Sequence, residues 1–481
     1  MKPSRSWKTL FFTALCFFLG IIAVVVRIRA AFNDLWLDEI WSIELVSELH
    51  SAIGVFTQTH HDNNHYLNSL FIYFLGQRGN WIGYRIPSVA AGIGTVALAW
   101  LIGARRDKCT AFFSSLLVGF SYVLILYSSE ARGYASLIFF CFLCFLALQS
   151  FFTNPRGTPA LVFSLSAILG FTSHLTFLIF LSASLIWFLA RLRRKNFTIA
   201  RIVCWTTACY ALPIVYFAVL YLVDVRQIQI GGGTPISVFE GYRMTLAWAL
   251  GGPNASPWQS LTVLSSVVGL VTGCAVLIKE RRDEWIFFLA VIVLVPLAMP
   301  LFEHGTLHYV RYFIVALAFL LLLFGWLLGW LFQASRVGQI ASVLLALVFL
   351  VINAQSVASL LKYGRGQFAG VVDFVIQETN DPARFTFGGE QDFRTQFMLG
   401  FYWQHIMGNT PAAYYEHEQW PAGGPEWVIF HEESFRKPVP PGKQFTDKFG
   451  NGFALVRTFP TAPLSGVHWF LYRKIPKPAA L

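Results

Sequence analysis

Apolar runs of about 20 residues recur along most of this chain, and a run of that length is what an α-helix needs to cross a hydrocarbon layer. Inside a bilayer every backbone N–H and C=O must be bonded internally, so the runs have to be helices. We read eleven spans, at roughly 10–28, 85–104, 110–128, 134–152, 158–172, 175–190, 200–223, 259–278, 285–302, 312–332 and 338–359. The fifth and sixth are short, and form either a tight hairpin around His174 or one continuous pair. Composition agrees. Of 481 residues 56% are hydrophobic and 13% charged, against about 25% charged in an ordinary soluble domain. With 47 Phe and 16 Trp, a water-soluble fold is excluded.

The formal charge of +11 is explained by where the basic residues stand. With the amino terminus inside, the cytoplasmic pieces hold 16 Lys and Arg against four acids (Asp107, Glu280, Asp283, Glu284). That asymmetry is the positive-inside pattern of a membrane protein, not a nucleic-acid footprint, and an odd number of spans puts the carboxy-terminal segment outside. The first span carries a basic flank like a signal peptide, but Val26-Arg27-Ile28-Arg29-Ala30 offers no small-x-small cleavage site, so it is expected to stay as a helix. All seven cysteines fall in spans or at their inner ends, and Cys141-x-x-Cys144 is expected to serve helix packing.

These features divide the chain into a transmembrane module, residues 1–359, with exported loops at 31–84 and 224–258, and an exported α/β domain, residues 360–481. The first loop is rich in aromatic and amphipathic stretches, and is expected to carry helices lying along the membrane surface. In the second, Gly231-Gly232-Gly233-Thr234-Pro235 lacks the Lys-Ser/Thr of a phosphate loop and reads as a hinge. The tail has ordinary polarity, a helix-like stretch at 369–378 and strand-like runs at 384–387, 427–431, 453–458 and 469–472. Ser88 and Gly92, small residues at helical spacing, would let neighbouring spans approach closely.

Three groups of residues could carry chemistry. Asp38 and Glu39 stand side by side within Leu35-Trp36-Leu37-Asp38-Glu39-Ile40-Trp41, where burying a carboxylate is costly. They could act as general base or hold a divalent metal, or they could cap a surface helix. In His60-His61-Asp62-Asn63-Asn64-His65, the imidazoles of His61 and His65 would share one helix face and, with the acids, are metal candidates, while hydrogen bonding to a polar substrate is the competing role. Arg85, Arg132 (in Ser129-Glu130-Ala131-Arg132-Gly133-Tyr134) and Arg311 (beside Tyr312) stand at outer ends of different spans, against the charge rule. Arginine suits bidentate binding of phosphate, and internal pairing, for instance of Arg132 with Glu130, is the alternative. Together these groups fit a lipid phosphate carrying a transferable group, without identifying that group.

In order along the chain, Leu37-Asp38-Glu39, Asp62-Asn63-Asn64-His65, Arg85-Ile86-Pro87-Ser88, Ser129-Glu130-Ala131-Arg132-Gly133-Tyr134, Arg311-Tyr312 and a final α/β domain resemble the GT-C glycosyltransferases, in particular the bacterial relatives of protein O-mannosyltransferases and of the lipid A aminoarabinose transferase. The resemblance implies a GT-C bundle of about 11 helices with an exported α/β domain, in the bacterial cytoplasmic membrane. It implies transfer, with inversion, of a sugar from a polyprenyl-phosphate donor to an acceptor glycan, lipid or protein on the outer face. Asp38 would be the base or acceptor-positioning acid, with Glu39 as its partner. Arg311, Arg132 and Arg85, with Tyr312, would hold the donor phosphate, and Asp62, Asn64, His65, Glu130 and Tyr134 would line the substrate site. The chain departs from the family where relatives often read His-Pro-Pro-Leu-Tyr and Arg-Pro-Tyr, here His65-Tyr66-Leu67 and Arg132-Gly133-Tyr134. A transporter or flippase for a lipid-linked or anionic solute is the competing class, although its charges would sit near mid-membrane on broken helices. A non-catalytic envelope scaffold would explain the tail but not the acids.

Overall fold

The computed structural model describes residues 4–76, 81–252, 258–298, 308–379, 381–433 and 438–476. Over the described residues the eleven apolar windows fall on helices except at Ser121, which is extended, and at the turn Leu175–Thr176. Six helices are individually long and apolar enough to cross a membrane, or seven if one bent pair counts as a single span. The chain is therefore a multi-pass membrane protein. The windows at 158–172 and 175–190 are two separate helices, Gly157–Ser173 and Phe177–Arg194, broken at His174.

The bent pair is Lys108–Phe120 and Tyr122–Ser128, turned by 60° at extended Ser121. A side chain from the first span stabilises the break. Arg27 is fully buried, and its guanidinium donates to the carbonyls of Gly119 (2.7 Å), Val118 (3.1 Å) and Ala23 (3.1 Å). Beyond the break, the amide of Tyr122 donates to Asn353 Oδ1 at 2.8 Å. Both sides of the kink thus recover hydrogen bonds that the ladder lost, as a helix bend in an apolar medium requires. The expected close packing is present at Gly92, where an added Cβ would lie 2.4 Å from that of Ser128. All seven cysteines are free thiols, with Cys141 and Cys144 buried in Tyr134–Thr153.

The described residues divide into two compact units. The larger comprises residues 1–31, 45–76 and 82–355; the second comprises 32–44, 77–81 and 356–481. The core of the second unit is a six-stranded mixed sheet, β1 Thr386–Gly389, β2 Ala413–Tyr415, β3 Trp427–Glu433, β4 Gln444–Thr446, β5 Gly452–Phe459 and β6 Val467–Lys474, in the order β2-β1-β3-β6-β5-β4. β1 is parallel to β2 and β3, and the remaining pairs are antiparallel. Helices Phe368–Glu378 and Asp392–Met407 accompany it. The second helix and the short strands β2 and β4 lie outside the sequence expectation, because a mixed-polarity helix and three-residue strands have too weak a periodicity to read.

The segment Phe32–Glu44 belongs to this second unit rather than to the loop that follows it. Its anchors are specific: the amide of Ala369 donates to Asp34 at 2.8 Å, Tyr402 Oη donates to the Leu35 carbonyl at 2.7 Å, and Trp41 packs on Phe393 with ring centroids 5.2 Å apart.

Candidate functional site

The first exported loop forms helices Leu37–Ser47, Gly54–Thr57 and Tyr66–Leu75, as its amphipathic stretches predict. Asp38 and Glu39 occupy the first turn of Leu37–Ser47, where carboxylates favour the helix dipole. Both are buried, and the Glu39 carboxylate accepts the Trp36 amide at 3.1 Å. The capping role considered from sequence is thus real for Glu39.

In the larger unit, His65 is the centre of a tight polar cluster. Its Nδ1 accepts the Gly133 amide at 2.7 Å, and its Nε2 lies 2.9 Å from Arg132 Nη2. Its ring meets those of Tyr134 and His174 edge-on, at centroid distances of 5.1 and 4.7 Å. The Arg132 guanidinium stands 5.4 Å from the Tyr134 ring centre, with Nε 3.8 Å from Glu130 Oε1, so the pairing weighed from sequence is present. The turn is held by Asn68 Nδ2 donating to the Ala131 carbonyl (2.6 Å) and Ser88 Oγ to that of Arg132 (2.9 Å). One turn before Ser88 on the same helix, Arg85 is completely buried and donates to the Ala31 carbonyl at 2.8 Å.

Two arginines act on the imidazoles of this cluster, opposed by Glu130 and Asp62. Burial, then the charges of Arg132, His174 and Arg311, holds His65 well below the ordinary imidazole value. Burial together with Arg132 and Arg311 pushes His174 down to about 3. A neutral imidazole has one lone-pair nitrogen, whereas the Gly133 amide and the Arg132 guanidinium can only donate. His65 therefore satisfies one of them and turns an N–H toward the other. Two arginines around one buried imidazole favour an anionic oxygen. Arg311 itself lies 4.9 and 5.6 Å from the ring centres of Tyr309 and Tyr312.

Asp62 and Asn64 tie the loop, and Asp62 is also within the electrostatic reach of Arg132 and His174. Burial works against the Asp62 carboxylate, yet the His61 ring, the Gly231 amide and Arg132 together hold it below its usual range. The Gly231 amide donates to Asp62 Oδ1 (3.2 Å), and a bridge between His61 and Gln229 ties the two exported loops, so the near end of the glycine run is pinned. Asn64 donates to the carbonyls of Val55 (2.7 Å) and Thr59 (3.0 Å).

The expectation that His61 and His65 share a helix face is corrected. The helix begins at Tyr66, His65 is its N-cap, and His61 lies in a turn whose Asn63 amide donates to the His61 Nδ1 (3.1 Å). The nitrogens of His65 face an amide and a guanidinium, and among the described residues no group of three His, Cys, Asp or Glu side chains could hold a metal.

Sequence reasoning missed Asp224. It is completely buried, and its carboxylate accepts from the Tyr66 hydroxyl while pairing with His60 Nδ1. Beneath it Val55, Tyr66 and Leu220 form a buried apolar cluster. An acid immediately after the apolar run ending at Val223 was the available signal.

No protein-family model and no curated protein sequence matches the chain. Solved structures do match. ArnT, the lipid A aminoarabinose transferase, from Cupriavidus metallidurans in the apo state superposes with a TM-score of 0.52 at 11% identity, covering 90% of this chain and 94% of that one. The fold is that of the GT-C glycosyltransferases. The same ArnT bound to undecaprenyl phosphate gives 0.52 at 10% identity, over 97% of this chain and 98% of that one. The Archaeoglobus fulgidus oligosaccharyltransferase in complex with Zn and sulfate gives 0.50 at 9% identity, over 86% and 67%.

Proposed function

We propose that the protein is a membrane glycosyltransferase that takes a sugar from a polyprenyl-phosphate donor and transfers it, with inversion, to an envelope glycan, lipid or protein at the outer face of the bacterial cytoplasmic membrane. The amino terminus is cytoplasmic in this reading and the sheet unit exported, as the distribution of basic residues favours. The observation that carries the proposal is the pair of arginines at His65: the Arg132 guanidinium lies 2.9 Å from its Nε2, and the charges of Arg132 and Arg311 both act on the buried ring. The fold shared with ArnT supports the same reading.

In the reaction an acceptor hydroxyl attacks C1 of the sugar from the face opposite the phosphate. The C1–O bond to phosphate breaks, and the polyprenyl phosphate leaves with the bonding pair. Arg132 and Arg311 neutralise the charge that develops on the leaving oxygen, with Arg85 and Tyr312 completing the phosphate environment. Asp38 takes the hydroxyl proton, and Glu39 keeps the start of its helix in place through the Trp36 amide.

The test is mass spectrometry of lipids retained by the gently purified full-length protein and by Asp38→Asn and Arg311→Ala. A polyprenyl-phosphate sugar kept by the wild type and Asp38→Asn, and lost from Arg311→Ala, is the expected result and names the sugar. Only bulk phospholipid in all three, with no binding of added carrier, removes the donor and favours transport instead.

A further inference from the structure

The helix ends that carry the excess of basic residues hold a second polar site, away from the cluster at His65. A cavity of about 400 Å³ is lined by Arg106, Asp107, Glu280, Arg282, Trp330 and Gln333. Arg106 and Asp107 lie between helices Trp81–Ala104 and Lys108–Phe120, Glu280 and Arg282 follow Trp258–Lys279, and Trp330 and Gln333 end Ile314–Ala334. The same end of three helices thus converges on one polar space.

Its lining is not fully used by the protein. Arg106 pairs with Glu280 through Nη2, and its guanidinium lies 4.7 Å from the Trp326 ring centre. That side chain is only 10% exposed, yet its Nη1 is buried with no hydrogen-bond partner among the described residues. A buried guanidinium nitrogen without an acceptor is costly. Arg282 is 46% exposed and reaches Glu284 only at 3.9 Å, which leaves its guanidinium available. On the other side, Asp107 caps Lys108–Phe120, accepting the amides of Cys109 (2.8 Å) and Thr110 (2.9 Å) and the Thr110 hydroxyl (2.6 Å), so Glu280, 30% exposed, is the carboxylate left to meet a ligand.

The cavity therefore presents two guanidinium groups and the Glu280 carboxylate. A purely anionic ligand would meet that carboxylate, and a quaternary ammonium has no N–H to give it. What matches both signs is a phosphate joined to a primary ammonium. Trp330 lines the space at a helix end, the level where indoles mark the boundary of a membrane, and basic pockets between spanning helices are a known mode of headgroup binding. We propose that this cavity binds the headgroup of a phosphatidylethanolamine-type lipid, its phosphate on Arg106 and Arg282 and its ammonium on Glu280.

The experiment is native mass spectrometry of the full-length protein from nanodiscs holding equal phosphatidylethanolamine, phosphatidylglycerol and phosphatidylcholine. The wild type is expected to retain phosphatidylethanolamine over both others by about tenfold, the size of one charge-assisted hydrogen bond. Arg282→Ala, which leaves the buried Arg106–Glu280 pair intact, abolishes that preference, and Glu280→Gln shifts it toward phosphatidylglycerol. Arg106→Gln also loses it, with circular dichroism and melting of each variant reporting whether the fold survives. Equal retention of the three lipids by the wild type, or an unchanged preference in Arg282→Ala, overturns the proposal. Inorganic phosphate that binds in an Arg282-dependent way and is not displaced by phosphatidylethanolamine assigns the site to a soluble phosphate instead, and overturns it too.

Discussion

The amide of Gly133 and the Nδ1 of His65 meet at 2.7 Å across 68 positions of sequence, and this bond fixes which imidazole nitrogen is left to face Arg132. It also gives a reason for the departure from the Arg-Pro-Tyr pattern of the family that the sequence resembles. A proline at 133 would have no N–H to donate, and a side chain would have no room, since a Cβ on Gly133 would lie 1.9 Å from the Ser173 carbonyl oxygen.

Gly133→Ala is accordingly expected to destabilise the protein by about 1–3 kcal/mol, the usual cost of overpacking, and to weaken donor binding through His65. Thermal melting in detergent checks the first effect and carrier titration the second. A variant that melts with the wild type would mean that the Ser173 backbone moves aside freely.

Arg311→Ala and Arg132→Gln are each expected to weaken binding of polyprenyl phosphate by roughly tenfold to a hundredfold, as the loss of a charge-assisted hydrogen bond of ~1.5–3 kcal/mol implies. Unchanged affinity on titration with the carrier would reassign that arginine to packing against its neighbouring tyrosines.

Asp38→Asn is expected to abolish sugar transfer while carrier binding and membrane insertion stay intact, because the amide keeps the shape but cannot take a proton at neutral pH. Turnover at the wild-type rate in a radiolabelled transfer assay would remove Asp38 from the chemistry.

Asp224→Ala leaves the buried Tyr66 hydroxyl and the His60 ring without their shared acceptor, so a loss of about 1–3 kcal/mol is expected. Limited proteolysis of the first exported loop and a melting curve measure it. Tyr66→Phe combined with Asp224→Ala should cost less than the sum of the two single changes, since the pair is removed together.

The pH response follows from His174, whose folded value of about 3 lies below the ordinary value near 6.5. The unfolded chain takes up a proton there while the folded chain does not. The contribution of this residue is therefore complete above about pH 6.5 and is lost progressively as pH falls toward 3. Melting temperatures recorded between about pH 7.5 and 5 should decline with acid, and His174→Gln should flatten part of that decline. An identical slope in the variant would exclude His174 as its source.

The sequence alone determined that the chain is a membrane-embedded bundle with an α/β tail, because a hydrocarbon environment admits only long apolar helices there and the end of those runs marks a change of solvent. It also singled out Asp38, Glu39, Arg132, Arg311 and His65, since an ionisable group beside large apolar neighbours is conspicuous in one dimension. Tertiary structure decided the rest. Helix Leu37–Ser47 carries its acids in the unit formed with the tail because Tyr402 and Ala369, more than 330 residues away, hold the preceding backbone. His65 joins segments far apart in sequence because Gly133 and Arg132 close on both of its nitrogens. Arg27 and Asp224 stood in the sequence only as charges at the ends of apolar runs; their carbonyl and hydroxyl partners come from other helices, and no local pattern encodes a partner that only folding brings near.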